Sequence, residues 1–185
     1  LAKIGRAHPG HCMEKFFVGV DTWIGDARSR CRRLGLAGGP AMRIFDVGCG
    51  VPYFLAAARE LGHAADGLDL PDEALQAAAR AMGFVYLPHT IWEPEELPAI
   101  GGPYDLVTMF GVNLRHRDLA WWDWPDWVAL VAWLLAATEP GGRIVIQPNR
   151  GPHCSELLLD GDRWRAEDLP AAVRVEDLWL IFERS

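Results

Sequence analysis

Two glycines and two aspartates in the first half of the chain have the types and spacing of a small-ligand site. The stretch "RIFDVGCGVPYF" places Asp46, Gly48 and Gly50 directly after a short apolar run. Glycines at such a point let the chain turn sharply and leave room for a ligand beside the backbone. Asp69 lies 69 minus 50, or 19, residues beyond Gly50. A carboxylate about 20 residues after a glycine turn can accept hydrogen bonds from both hydroxyls of a ribose, which indicates a nucleoside ligand.

Three kinds of ligand compete for this glycine turn. A mononucleotide loop needs a Lys-Ser/Thr pair, but Val51, Pro52 and Tyr53 follow Gly50, which excludes it. A dinucleotide fingerprint needs a third glycine where Tyr53 stands, so that match is weak. Pro52 lacks the amide that a helix start offers to a phosphate. The remaining reading is a cofactor that meets the turn with a small amino acid portion and a nucleoside.

The elements around these residues alternate between strand and helix, which favours an α/β fold with a Rossmann-like, doubly wound, mostly parallel sheet. A single domain is expected, with an uncertain segment 1–20, a cofactor-binding core 21–149 and C-terminal strands 150–185. A shortened C-terminal hairpin is possible, because only 36 residues (185 minus 149) follow Asn149. Strands are predicted over 43–47, 64–70, 84–91, 104–111 and 143–149, and helices over 21–34, 52–61, 71–82 and 125–138.

Four stretches in this order resemble the motifs of class I S-adenosylmethionine-dependent methyltransferases, over about residues 45–149. "DVGCGVPY" resembles their motif I, an acidic residue followed by G-x-G-x-G, with Pro52 in place of the last glycine. "GLDL" resembles the end of their second strand, "PYDLVTMFGVN" their fourth-strand motif and "EPGGRIVI" the entry into their fifth strand.

The resemblance implies S-adenosylmethionine as the cofactor. It implies that Asp69 holds the ribose and that Asp46 supports the turn or the ammonium group of the cofactor. Glu93 would be the acidic residue after the third strand, and Thr90, Ile91 or Trp92 the wall of the adenine pocket. The cofactor-binding residues that it implies are Asp46, Gly48, Cys49, Gly50, Asp69, Leu70, Thr90, Ile91, Phe110 and Gly111.

Candidate catalytic residues follow the fourth strand, on a loop above the carboxyl edge of the sheet. Asn113 is expected to position a substrate, and His116 to accept a proton, since the ordinary pKa of histidine is about 6.5. An exposed histidine without a role is the alternative for His116 and for His153. The tryptophans that precede the helix over 125–138 are expected to line a substrate pocket or an interface, or simply to pack: Trp121, Trp122 and Trp124.

The amino-acid composition limits the binding partners and the cellular location that can be expected for the protein. A net charge of -7 and a pI near 5.3 argue against broad binding to nucleic acid or to an anionic membrane. The four cysteines are scattered, so no metal site is expected and a cytoplasmic location is predicted. No apolar stretch reaches the roughly 18 residues that a membrane span needs. The arginines at 28, 30, 32 and 33 are interpreted as a solvated helix face.

The predicted function is transfer of a methyl group from S-adenosylmethionine to a small molecule by direct in-line displacement. A sulfonium already activates the methyl carbon, so a general base is not obligatory. A nucleic acid acceptor is disfavoured further, because "FGVNLRH" follows the fourth strand in place of an Asn/Asp-Pro-Pro-aromatic motif. Two alternatives stay open: a non-catalytic, methyltransferase-like binding module and a nicotinamide-dependent reductase. Nothing in the sequence indicates the oligomeric state.

Overall fold

The computed structural model describes residue 17 and the ranges 19–149, 157–165, 167 and 169–185. The strands are β1 (Arg43–Val47), β2 (Ala64–Asp69), β3 (Leu87–Pro88), β4 (Tyr104–Phe110), β5 (Thr138–Gln147), β6 (Ala171–Glu176) and β7 (Trp179–Arg184). The helices are α1 (Val20–Arg33), α2 (Tyr53–Glu60), α3 (Glu73–Ala81), α4 (Trp124–Ala136) and α5 (Gly161–Arg165), and a 3₁₀ turn spans Pro94–Glu96.

The strands form one seven-stranded sheet in the order β3-β2-β1-β4-β5-β7-β6. The pairs among β1 to β5 are parallel, whereas β7 runs antiparallel to both β5 and β6. This arrangement confirms the predicted α/β fold with a mostly parallel, doubly wound sheet. The chain order reverses between β1 and β4, and open α/β sheets bind ligands at the carboxyl ends of the strands beside such a reversal.

Helix α4 buries the apolar face that its sequence pattern predicts. Asp123 caps its start in a reciprocal capping box with Asp126, which satisfies amides at the first turn. The predicted face, at most 2% exposed, packs against the sheet with α5; it consists of Trp127, Leu130, Val131, Leu134 and Leu135. The other face of the sheet is covered by α1, α2 and α3, so each face carries its own apolar cluster.

One predicted helix start and one predicted strand differ in the structure. Helix α3 begins at Glu73 and not at Pro71, because the side chain of Asp72 caps it by accepting from the amide of Leu75 at 3.0 Å. The strand predicted over 84–91 shrinks to Leu87–Pro88. Pro88 has no amide to donate to a ladder, and β3 lies at the edge of the sheet, where a short strand is tolerated.

The C-terminal segment forms two strands of six residues each, so the hairpin is present in full. Its tight turn passes through Asp177, whose φ is 54°. The "EPGG" stretch, predicted as a tight turn before the fifth strand, bulges out of β5. Thr138 pairs with Tyr104 and Arg143 with Leu106, so five residues of β5 span two of β4.

Replacing Leu134 with Ala is expected to lower the free energy of unfolding by about 2–5 kcal/mol, because a fully buried leucine leaves a cavity that its neighbours fill only in part. Urea unfolding followed by circular dichroism measures the loss. Val128→Ala on the same helix is the control, and it should cost clearly less because Val128 is only half-buried. Equal losses would contradict the packing described for α4.

Candidate functional site

A cavity of about 510 Å³ lies at the carboxyl edge of the parallel strands, where β1, β2 and β4 end. Its walls come from the turn after β1, the end of β2, the segment after β3, the loop after β4 and one face of α1. Pockets that bind small ligands and cofactors measure about 300–1,000 Å³, so this cavity has the size of such a site.

The glycine turn after β1 forms the floor of the cavity. Gly48 has a φ of 75°, and a Cβ added there would lie 2.3 Å from Cγ2 of Val112. No side chain fits at that position. The amides of Gly48 and Cys49 both donate to the carbonyl of Leu68, at 2.8 and 3.1 Å, which fixes the turn against β2. Burial raises the pKa of the Cys49 thiol, so this residue lines the cavity without a charge.

Asp69 ends β2 beside this turn and is 8% exposed. Its Oδ2 accepts from the amide of Gly50 at 2.5 Å, and its Oδ1 accepts from the amide of Leu70 at 2.7 Å. Burial raises the pKa of Asp69, and the two amide hydrogen bonds oppose that rise. Each carboxylate oxygen has a further lone pair, so Asp69 can still accept two hydroxyl donors from a ligand.

Asp46 is the second carboxylate of the cavity. Its Oδ1 accepts from the hydroxyl of Thr108 at 2.7 Å. Burial raises the pKa of Asp46 to about 7, and the hydrogen bond from Thr108 and the positive charge of Arg30 act in the opposite direction. A cation bound near Asp46 would favour its ionised form. This end of the cavity is therefore suited to a positively charged group.

Helix α1 supplies a cation to the same end of the cavity. Trp23, Ala27 and Arg30, spaced by four and three residues, line it from one face of the helix. The guanidinium of Arg30 lies 4.5 Å from the ring centroid of Phe110, and burial lowers its pKa. The solvated face predicted for the arginines is thus wrong for Arg30, although Arg28 is exposed. The helical spacing of Trp23, Ala27 and Arg30 is the sequence signal that marks this face.

The structure brings most of the predicted cofactor residues to the cavity, together with Asn113. Thr90 does not line it, whereas its neighbours His89 and Ile91 do. The predicted residues that line the cavity are Asp46, Gly48, Cys49, Gly50, Asp69, Leu70, Ile91, Phe110, Gly111 and Asn113.

His116, predicted to accept a proton, lies outside the residues that line the cavity, with both ring nitrogens engaged by carboxylates. Nδ1 is 2.5 Å from Oε2 of Glu93, and Nε2 is 3.0 Å from Oδ2 of Asp126. Carboxylates only accept, so both ring nitrogens carry hydrogens and no lone pair remains for a proton. The hydrogen bond to Glu93 raises the pKa of His116.

The same contacts correct the role predicted for Glu93. Its Oε1 accepts from the amide of Arg117 at 3.2 Å while its Oε2 faces His116, so it belongs to this cluster and not to the cavity. Trp92 is also outside the lining, and its carbonyl accepts from Nε1 of Trp122 at 3.0 Å.

The tryptophans at 121, 122 and 124 do not line the cavity; they pack. Trp122 is 2% exposed, Trp124 donates through Nε1 to Glu167 at 2.5 Å, and the ring of Trp121 lies under the guanidinium of Arg115. His153 lies outside the described residues. Within the described ranges, no group of three or more His, Cys, Asp or Glu residues could hold a metal ion. None of the helices described is long and apolar enough to cross a membrane.

A sequence profile described as a methyltransferase domain matches residues 24–178, well over half of the chain. The chain belongs to this methyltransferase family. The predicted membership of the class I methyltransferases is thereby confirmed, and the seven-stranded sheet agrees with it. A search of curated proteins finds no match to this chain.

Solved methyltransferase structures share the fold at low sequence identity. Mitomycin 7-O-methyltransferase aligns with a TM-score of 0.62 and 17% identity, over 99% of this chain and 60% of its own. Magnesium protoporphyrin IX methyltransferase from Synechocystis PCC 6803 aligns at 0.53 and 16%, over 96% and 86%. An S-adenosylmethionine-bound amino pentose methyltransferase from Micromonospora echinaspora aligns at 0.50 and 23%, over 95% and 62%. The chain spans about three-fifths of the length of two of these structures.

Replacing His116 with Gln is expected to lower the melting temperature of the methyltransferase most between about pH 4.5 and 6.5. Because the pKa of His116 is raised in the folded protein, its contribution to stability is complete below about pH 6.5. That contribution is lost as the pH rises through the raised pKa. The hydrogen bond with His116 also lowers the pKa of Glu93. The contribution of Glu93 to stability is therefore present above about pH 4.3 and is lost only at lower pH.

Thermal unfolding from pH 4 to 9 measures the difference between His116→Gln and the parent. Arg117→Gln is the control, since it removes the ion pair with Glu96 without removing a group that titrates between pH 6 and 9. A difference for His116→Gln that does not change across this pH range would contradict the charged state of the ring.

Proposed function

We propose that this chain is an S-adenosylmethionine-dependent methyltransferase that methylates a small molecule by direct in-line transfer. The observation that carries the proposal is Asp69, which the amides of Gly50 and Leu70 hold at the end of β2. One lone pair on each of its oxygens is left for the two hydroxyls of a ribose. The site accepts hydroxyl donors beside a backbone without side chains, which fits a nucleoside better than a pyrophosphate.

The charged residues of the cavity match the amino acid portion of this cofactor. Asp46 and Arg30 both line the cavity, and we propose that Asp46 receives the ammonium group and Arg30 the carboxylate. The bare turn at Gly48 lets this portion approach the backbone. Leu70 and Ile91 offer apolar surface to a base held beyond the ribose. The bound cofactor would supply a methyl carbon already activated by a positive sulfur.

Catalysis then depends on alignment more than on proton transfer. The cavity walls would hold donor and acceptor in line and exclude water, which contributes most when the two reacting atoms are already close. Asn113 is exposed, lines the cavity, and is proposed to position the acceptor. With His116 engaged elsewhere, the proposal requires no general base from that loop.

Two observations support a small molecule as the methyl acceptor: the net charge of the chain and the acceptors named for similar enzymes. The net charge of -7 disfavours a polyanionic acceptor. Mitomycin and an amino pentose are the acceptors named for two of the methyltransferases with this fold. We extend the proposal to a single domain over 1–185 and to a cytoplasmic location, both of which stay predictions.

Replacing Asp69 with Ala is expected to weaken binding of S-adenosylhomocysteine roughly 10- to 100-fold, because hydrogen bonds to a charged acceptor are lost. Isothermal titration calorimetry measures the dissociation constants. Asp66→Ala is the matched control: it lies on the same strand, is exposed and pairs only loosely with Arg59 at 3.8 Å. Its affinity should equal that of the parent.

The same titrations separate the rival functions. Equal binding by Asp69→Ala and the parent would refute the assignment of the ribose site. A parent stabilised by NADH and not by S-adenosylhomocysteine would be a reductase. Binding of S-adenosylmethionine without turnover over a broad panel of acceptors would indicate a non-catalytic binding module.

Replacing Arg30 with Met is expected to weaken binding of S-adenosylhomocysteine roughly tenfold and to leave binding of methylthioadenosine unchanged. The second ligand has the nucleoside and the sulfur but no carboxylate, so it has nothing for the guanidinium to bind. Arg32→Met, an exposed position on the same helix, is the control and should affect neither ligand. Equal weakening of both ligands by Arg30→Met would show a structural role for Arg30.

A further inference from the structure

Two arginines of helix α1 lie over two aromatic rings beside the cavity. The guanidinium carbon of Arg30 is 4.5 Å from the ring centroid of Phe110, and that of Arg33 is 3.7 Å from the ring centroid of Trp179. A cation is attracted to the face of an aromatic ring within about 6 Å. Residues three apart are neighbours on one face of a helix, so α1 presents both arginines to these rings.

The two rings also contact each other, although they come from different strands. Phe110 ends β4, Trp179 begins β7, and their ring centroids are 5.8 Å apart. Both residues are buried, and Phe54 of α2 meets Phe110 edge to face at 5.2 Å. We call the four residues Arg30, Phe110, Trp179 and Arg33 the arginine–aromatic cluster, in the order of their contacts.

Arg33 joins its end of the cluster to the C-terminal hairpin. Its guanidinium donates to the carbonyl of Glu176 at 2.9 Å and to Oδ2 of Asp177 at 3.0 Å, where β6 turns into β7. Together with the ring of Trp179, these contacts hold the end of α1 against the hairpin. Neither Arg33 nor Trp179 lines the cavity, so both act on it only through their neighbours.

Arg30 is the end of the cluster that reaches the cavity, which it lines together with Phe110. Burial lowers the pKa of Arg30, and the negative charge of Asp46 opposes that change, so the guanidinium lies within the field of this carboxylate. A long side chain needs contacts that hold it in one orientation, because ordering it costs conformational entropy. The face of Phe110 supplies such a contact, and Trp179 in turn contacts Phe110.

We propose that Trp179 is a positioning residue for the cofactor site: it holds Phe110 and the end of α1 in place, and so fixes the guanidinium of Arg30 for the carboxylate of the ligand. This inference rests on the proposed function. It gives a role in binding to the C-terminal hairpin, which contributes none of the described residues that line the cavity. Without the indole, Arg30 keeps its charge and loses its fixed orientation.

The test compares S-adenosylhomocysteine with methylthioadenosine, which lacks the amino acid portion and with it the carboxylate. Trp179→Leu should weaken binding of S-adenosylhomocysteine roughly three- to tenfold, the size expected for lost cation–π contacts, and leave binding of methylthioadenosine unchanged. Isothermal titration calorimetry measures both dissociation constants. Leu178→Ala, the exposed neighbour in the same hairpin, is the control and should affect neither ligand.

A double variant tests whether Trp179 acts through Arg30. The effects of coupled residues do not add. Once Arg30 has been replaced with Met, Trp179→Leu should therefore cost no further affinity for S-adenosylhomocysteine. Independent roles for the two residues would give losses that multiply.

Two surface substitutions separate the ring contact from the ion pair in the hairpin turn. Arg33→Met removes the cation from the ring of Trp179 and should weaken S-adenosylhomocysteine in the same direction, by a smaller factor. Asp177→Asn removes only the ion pair with Arg33 and should change neither affinity. Because Arg33 is exposed, its variant also serves if Trp179→Leu does not fold, which the melting temperature shows.

An unchanged affinity for S-adenosylhomocysteine in Trp179→Leu, equal weakening of both ligands, or losses that multiply in the double variant would overturn the role of Trp179. An unchanged affinity in Arg30→Met would refute the carboxylate contact and this inference with it. Failure of the parent to bind S-adenosylhomocysteine would instead refute the proposed function.

Discussion

The bond between the carboxylate of Asp69 and the amide of Gly50 is the contact on which the rest of the site depends. It joins the end of β2 to the turn after β1 across 2.5 Å, and the two amides that donate to Leu68 reinforce it. The backbone of the turn thus cannot move without moving Asp69. Because the turn directly follows β1 and Asp69 ends β2, the register of these paired strands sets the distance from the turn to the carboxylate of Asp69.

Burial of charge is the second constraint. Two carboxylates, Asp46 and Asp69, are taken from water at the carboxyl edge of the sheet, and the pKa of each rises as a result. The cost of burying these carboxylates is offset only in part by two backbone amides, the hydroxyl of Thr108 and the guanidinium of Arg30. A ligand with an ammonium group and a positive sulfur would complete the compensation, since an opposite charge stabilises an ionised carboxylate in a dry site. The burial of these two carboxylates therefore favours a cationic ligand.

Residues near in sequence are enough to predict the helices, the strands and the glycine turn. Contacts between residues distant in sequence determine the rest of the site. The apolar period of α4 and the position of Asp69 depend on residues near in sequence, so both could be predicted. The partner of His116 could not: Glu93 is 23 residues away and comes close only after the chain leaves the edge strand β3. The burial of Arg30 could not be predicted for a related reason: charge alone does not show which face of a helix meets a cavity formed by other strands.

The cluster around His116 acts on the cavity from outside. Glu93 follows β3 and His116 follows β4, and the segments that they join carry Ile91 and Asn113 into the lining. An isolated antiparallel bridge between Arg115 and Trp121 closes the segment after β4. With both ring nitrogens hydrogen-bonded, His116 joins these two segments and the start of α4. His116, predicted to transfer a proton, thus shapes the cavity through the loops that it connects.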